Sequence, residues 1–338
     1  MKEIRPLRVR KIYSDGRHNA FTSMTAFGDD IFLAFRSGTT HIAFDGKIRI
    51  LRSSDRGENW ETSALIGMDG CDLRDPKLIE FDGKLHLYTF SRQPGGIFAS
   101  WHYVSKDGKE FGRAEKIDTV PLIWGLAKFG DKLYCTGYRR VSEANSAAML
   151  YASPDGSRWE QLLQFPFFGT ETAIDFDPAG YLYAFVRDST YGCGCIPTIC
   201  RLEPPYTKMP ELNRQTMDLV RALPLRMVGP MLKRFNGASL LVGRCWDGGI
   251  TVKRNIRTEV YILEDHDDPR HCFVLPSGGD TSYASYLELR PGRALLSYYS
   301  SHEHKTALPL DETAEKVPAA EHSTAADIFL ADLSHNYF

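Results

Sequence analysis

The sequence predicts an all-β protein, a six-bladed β-propeller of four-stranded antiparallel blades. Three observations carry this expectation. A two-strand phrase recurs six times, a Ser-x-Asp turn follows three of the copies, and long helical periodicity is almost absent.

The phrase is an alternating run, a tight turn and an apolar run. Its copies are TSMTAFGDDIFLAF, PKLIEFDGKLHLYTF, GLAKFGDKLYCTGY, TAIDFDPAGYLYAF, PMLKRFNGASLLVG and ASYLELRPGRALLSYY. The residues before the turns are Phe27, Phe81, Phe129, Phe176, Phe235 and Leu289, spaced about 47 to 59 residues apart. Each copy reads as two strands joined by a Gly- or Asp-bearing turn. Next come SSDRGENW (53–60), SKDGKEF (105–111) and SPDGSRW (153–159). Ser and Asp side chains fold back on a tight turn, Gly supplies a positive φ, and the aromatic packs beneath. These are staples between outer strands, not sites. PELNRQTMDLVRAL (210–223) predicts a short helix between the fourth and fifth blades. RPLRVRKIY at the N-terminus is expected to add an outer strand to the last blade and close the ring. KTALPLDETAEKVPAAEHSTAA (305–326), rich in Ala, Glu and Pro, reads as a loop or short helix inserted in that blade. The expectation is one domain over 1–338.

Composition narrows the partners. The 338 residues are 43% hydrophobic with a net charge of -2, and they hold no long basic run to grip nucleic acid. No stretch approaches the ~20 apolar residues of a membrane helix. MKEIRPLRVRKIYSDG lacks the apolar core of a signal peptide, so a cytoplasmic protein is expected. Seven cysteines, an odd number, favour reduced thiols. The cluster Cys193, Cys195 and Cys200 in YGCGCIPTIC lacks paired spacing or a nearby His, and reads as a loop of small thiols, not a metal site. No cofactor is expected.

In a propeller the first strand of each blade lines the channel, and the second returns to the same mouth. The polar residues at the six entrances are therefore His18, Asp72 with Arg74 and Asp75, Trp124, Glu171, and Asp280 with Tyr283. Returning strands add Arg36, Arg92, Arg187, Arg244, Tyr298 and Tyr299. The hairpin GTETAIDFDPAGYLYAFVRDS (169–189) puts Glu171 and Arg187 on one rim. Three charges in CDLRDPKL, beside a buried strand, must be paired or bind something. Trp124 offers a sugar-stacking platform or packs the channel. Asp280 reads as a ligand contact or a turn cap, and His302 lies in YYSSHEHK beside the insertion. Arginines with carboxylates suit an anionic or polyhydroxylated ligand, and carboxylate pairs serve acid–base work on glycosides.

At the level of its repeats the chain resembles the sialidase superfamily, the BNR/Asp-box propellers, over nearly its whole length. SSDRGENW fits the Asp-box; the other two copies are one residue shorter. The resemblance implies that Glu171 deprotonates a tyrosine nucleophile, which TSYASYLELRPGRALLSYY matches at Tyr283, and that Arg187 helps hold a substrate carboxylate. A fifth-blade arginine completes such a triad; Arg244, Arg254 and Arg257 are the candidates. The first-blade arginine motif is missing from GRHNAFTSM, where only Arg17 or His18 is near, and the similar LRDP offers Arg74 instead. The general-acid aspartate of the family corresponds to His41. A His near its ordinary pKa of about 6.5 suits proton transfer; alternatively His41 binds sugar and Asp72 or Asp75 is the acid. The implied function is an exo-acting glycosidase whose carbohydrate substrate ends in an acidic sugar. The alternatives are a polysaccharide lyase using His41 and Tyr283 on a uronic acid, and a glycan-binding propeller without catalysis.

Overall fold

Alternation of apolar and polar residues folds each phrase into a hairpin. Phe27 pairs with Asp30, Phe81 with Lys84, Phe129 with Lys132 and Phe235 with Ala238, which leaves two-residue turns. At the second of these turns Asp82 and Gly83 both take positive φ (49° and 67°), the twist that matches two right-handed strands. A computed structural model describes residues 2–142, 145–188, 196–211, 219–248, 253–265, 267–304 and 325–337.

The strands form antiparallel sheets in a propeller-like arrangement, four with four strands and one with seven. This differs from six separate four-stranded blades, and the reason is one long strand. Glu160–Phe176 pairs with Ser146–Ser153 through Glu160 to Phe168, then with Leu182–Asp188 from Gly169 onward. No loop separates its two halves, so the sheets on either side merge.

Six strands contact one another in a closed cycle: His18–Phe27, Asp72–Phe81, Leu122–Phe129, Glu160–Phe176, Val228–Phe235 and Thr281–Arg290. Together they line a central cavity of about 290 Å³. The core is correspondingly divided. Six apolar clusters lie between successive sheet faces; one joins Phe32, Ile48 and Ile50 to Leu73, Leu85 and Leu87. The N-terminal strand Ile4–Tyr13 pairs with Asp327–His335 at the outer edge of the last sheet.

The Ser-x-Asp turns are built by side-chain oxygens. The Ser53, Ser105 and Ser153 hydroxyls accept from the amides of Gly57, Gly108 and Gly156 at 2.8, 2.9 and 2.8 Å. Each glycine faces the preceding sheet. A Cβ on Gly57 would meet Leu295 at 2.8 Å, on Gly108 the Phe32 ring at 2.3 Å, and on Gly156 the Tyr88 hydroxyl at 2.8 Å.

Of the predicted helix at 210–223, residues 212–218 lie outside the described residues, and Val220–Ala222 is a strand pairing with Thr198–Leu202. Cys193, Cys195 and residues 305–324 also lie outside them, while Cys200 is buried in a strand. Ala326, at the end of the insertion, bridges to His18. Among the described residues no helix is long and apolar enough to cross a membrane.

Candidate active site

Each inner strand carries a β-bulge at the same height. Two of its residues oppose one on the returning strand: Phe21–Thr22, Asp75–Pro76, Trp124–Gly125, Thr170–Glu171, Gly229–Pro230 and Tyr283–Ala284. A bulge bends the strand and re-aims a side chain, and proline suits it because no ladder hydrogen bond is lost. Phe21, Asp75, Gly229 and Tyr283 sit at positive φ (64°, 50°, 58° and 49°), as does Ser282 (90°). Six aligned bulges thus present one set of side chains to the mouth of the channel.

Tyr283 and Glu171 meet there. The tyrosine hydroxyl donates to Glu171 Oε1 at 2.9 Å. The other carboxylate oxygen takes Arg187 Nη1 at 2.5 Å and the Gly229 amide at 3.0 Å. Burial opposes the Glu171 charge, but Arg187, the Tyr283 hydroxyl and the Gly229 amide hold its pKa below the usual value. Burial, with the Glu171 charge beside it, pushes the phenol well above 10, so Tyr283 rests protonated. Phe21 packs on the Tyr283 ring at 4.9 Å and Trp124 at 5.4 Å, both edge-on, and the Arg244 guanidinium lies 5.4 Å over it.

Gly229 makes room for this ring. A Cβ there would lie 2.6 Å from Tyr283 Cε2, and the position already needs positive φ. Gly229→Ala is therefore expected to displace Tyr283, cutting turnover about tenfold or more and destabilising the fold by about 1–3 kcal/mol. Parallel kinetics and thermal melts check both effects.

Asp280 is a second hub. Its Oδ1 accepts from Arg244 Nη2 at 2.6 Å and the Tyr299 hydroxyl at 2.7 Å. Its Oδ2 faces His18 Nε2 at 2.8 Å and His41 Nδ1 at 2.6 Å. Despite burial, His41 and Arg244 hold its carboxyl well below the ordinary range. It is neither a turn cap nor a free ligand contact. His18, His41 and Asp280 bring potential metal-ligand atoms within 4.8 Å of one another. Both histidines already direct a nitrogen at the carboxylate, and Arg36, Arg74 and Arg244 bond to members of the group. That cationic surround does not fit a dication.

Asp72 is the third hub, fully buried. It accepts from Arg36 Nε at 2.6 Å and Arg74 Nη1 at 2.9 Å. Gly46 packs so closely that a Cβ would overlap the Asp72 carboxylate. Both Asp72 oxygens are thus engaged by arginines, which makes it a frame for the two guanidiniums. Arg36 is wholly buried and cannot reach a substrate. Arg74 donates to the His41 carbonyl at 2.5 Å and lies 4.9 Å over Phe21.

Asp75 differs. It is 4% exposed, its ion pair with Arg74 is long at 4.0 Å, and among the described residues its Oδ1 has no hydrogen-bond partner. Burial raises its pKa to about 6. His41 moves the other way: burial lowers it to about 4, against Asp280 and with Arg74, so it is neutral near pH 7, without the extra proton of an imidazolium acid.

Other expected contacts lie elsewhere. Trp124 is buried against Tyr283 with Lys77 4.4 Å over its ring, and it lines the central cavity. Arg257 pairs with Glu259 at 2.5 Å and Asp247 at 3.0 Å, away from these hubs; Arg244, on Ala238–Gly248 of the same sheet, is the arginine that bonds Asp280. His302 bonds Ser300 and packs on Phe329. Tyr298 faces the opposite way from Tyr299, donating to the Pro276 carbonyl. Phe21 and Gly229 escaped sequence reasoning; the signal was the extra residue that breaks alternation in each inner strand.

No protein-family model matches the chain, and no curated protein matches it. Solved structures do. A Dyadobacter fermentans protein described as of unknown function aligns over 98% of this chain and 99% of its own, with TM-score 0.75 and 16% identity. Trypanosoma rangeli sialidase aligns over 93% of this chain with TM-score 0.65 and 13% identity; this chain spans 55% of it. Penicillium chrysogenum alpha-L-arabinanase, solved with arabinobiose, aligns over 97% and 98% with TM-score 0.64 and 12% identity. At these identities the likeness establishes a propeller fold shared with glycoside hydrolases, not a reaction.

Proposed function

We propose that the protein is a retaining glycoside hydrolase on a six-bladed propeller, acting at a terminal acidic sugar. Six inner strands, six apolar clusters and the shared strand Glu160–Phe176 support counting the seven-stranded sheet as two blades. One observation carries the chemistry: Tyr283 Oη lies 2.9 Å from Glu171 Oε1, with Arg187 on the other oxygen. As Tyr283 attacks the anomeric carbon its proton passes to Glu171. The bond to the leaving oxygen breaks, and that oxygen takes the proton of Asp75. A neutral phenol avoids repulsion where the substrate carries a carboxylate, a group we assign to Arg187 and Arg244.

A panel of aryl glycosides of sialic, uronic and neutral sugars tests the reading. Release of the aryl alcohol from an acidic glycoside with the anomer retained is expected; no release from any member sinks it.

The same assignment sets a pH profile. Glu171 must be charged and Asp75 protonated, so kcat/KM rises through a pKa below the ordinary Glu value and falls through about 6. Asp75→Asn should remove the alkaline limb. Stability carries the matching sign. Asp75 is raised in the fold, so the native state holds its proton more tightly, and stability falls as pH rises from about 4, the unfolded value, to about 6. Melts of the wild type and Asp75→Asn across that window check it.

A lyase remains the second reading, because neutral His41 can accept a proton from a uronate carbon. Ultraviolet absorbance from a new unsaturated bond, without hydrolysis, selects it.

A further inference from the structure

The tautomers of the two histidines follow from their neighbours. Arg36 Nη1 lies 3.5 Å from His18 Nδ1 and can only donate, so His18 carries its proton on Nε2 and gives it to Asp280. Arg74 Nη2 lies 3.4 Å from His41 Nε2 and can only donate, so the His41 proton sits on Nδ1, 2.6 Å from the same carboxylate. His41 Nε2 is therefore a lone pair, engaged by one long contact. A carboxylate behind Nδ1–H fixes the ring and stabilises the imidazolium that forms when Nε2 takes a proton. The His41 side chain is 29% exposed, so water reaches it, while His18 is wholly buried. His41 and Tyr283 both pack edge-on against Phe21, at 5.7 and 4.9 Å, so one ring joins the histidine to the proposed nucleophile.

The geometry points to a division of labour between two groups: His41 is the general base that activates water in the hydrolytic half-reaction, and Asp75 serves only the first. The inference rests on the hydrolase reading. In the second half-reaction, water attacks the anomeric carbon of the glycosyl–Tyr283 adduct and gives a proton to His41 Nε2. The bond from carbon to Tyr283 Oη breaks, and the phenolate recovers the proton that Glu171 took in the first step. His41 then releases its proton to solvent while Asp75 takes one up, which restores the starting enzyme.

Rapid-mixing kinetics of His41→Ala and His41→Gln on the aryl glycoside that the wild type hydrolyses separate the halves. A burst of one equivalent of aryl alcohol per enzyme is expected, followed by steady turnover slowed about 10²–10³-fold. Azide, which needs no base, should restore turnover and yield the glycosyl azide, and mass spectrometry should find the sugar on Tyr283. Asp280→Asn should act through the ring in the same direction. A folded His41 variant with no burst and no azide rescue, or one that turns over at the wild-type rate, overturns the inference. A wild type without hydrolysis, or a fully active Tyr283→Phe, instead rejects the hydrolase reading beneath it.

Discussion

Tyr283→Phe is expected to lower kcat on the cleaved aryl glycoside by a factor of about 10³ or more. The substitution removes one oxygen and keeps the ring. The contacts to Phe21 at 4.9 Å and Trp124 at 5.4 Å, and the guanidinium of Arg244 above, are apolar or π contacts that Phe can make. Glu171 loses one donor and retains Arg187 and the Gly229 amide, so the stability cost is about 1 kcal/mol. A large loss of rate with a small change in melting temperature identifies the hydroxyl as a reacting group. Glu171→Gln removes the base for the same proton and should cost about 10²–10⁴. The two residues act as one unit, so the double variant should be little worse than the poorer single one. A Tyr283→Phe protein that still turns over within about tenfold of wild type would remove Tyr283 from the chemistry.

Asp72→Ala carries the largest expected effect on stability. It strips the carboxylate from Arg36, wholly buried, and Arg74, 8% exposed. Two guanidiniums would then share a site taken out of water, at a cost of about 3–5 kcal/mol. Urea unfolding should show this as a lower midpoint with an unchanged slope. Replacing Asp72 and Arg36 together by apolar residues should recover part of the loss, because the penalty lies in the uncompensated charge and not in the missing contact. An Asp72→Ala variant as stable as wild type would mean that water reaches the cluster and Arg36 is not desolvated. The same experiment bears on function: if Asp72 is the frame that holds Arg74 under His41, mild variants such as Asp72→Asn should alter turnover along with stability.

The contrast between Asp72 and Asp75 shows how far a sequence reaches. Both stand in CDLRDPKL, three residues apart, with Arg74 between them. Local sequence marks them equally as charges that need a partner. Only packing separates them: Asp72 is pinned by Arg36 from another sheet and approached by Gly46, while the bulge at Asp75–Pro76 turns its carboxyl to where no donor reaches Oδ1. His41 and Arg257 diverge in the same way. A loop brings His41 to Asp280, 239 residues away in sequence, whereas Arg257 is captured by Glu259 on its own strand.

By itself the sequence determined the all-β class, the repeated hairpins, the position of their turns and the rim shared by Glu171 and Arg187. These depend on period-two alternation and short turns, which are local properties of the chain. The tertiary structure decided what those residues do to one another. The six bulges, the bond from Tyr283 to Glu171 across 112 residues and the three carboxylate hubs all depend on strands from different sheets meeting at one height. It also decided protonation. Burial raises Asp75 and lowers His41, reversing the order that their ordinary values would set, because desolvation disfavours charge on either group. No local pattern encodes that, since the water each group loses is displaced by residues distant in the chain.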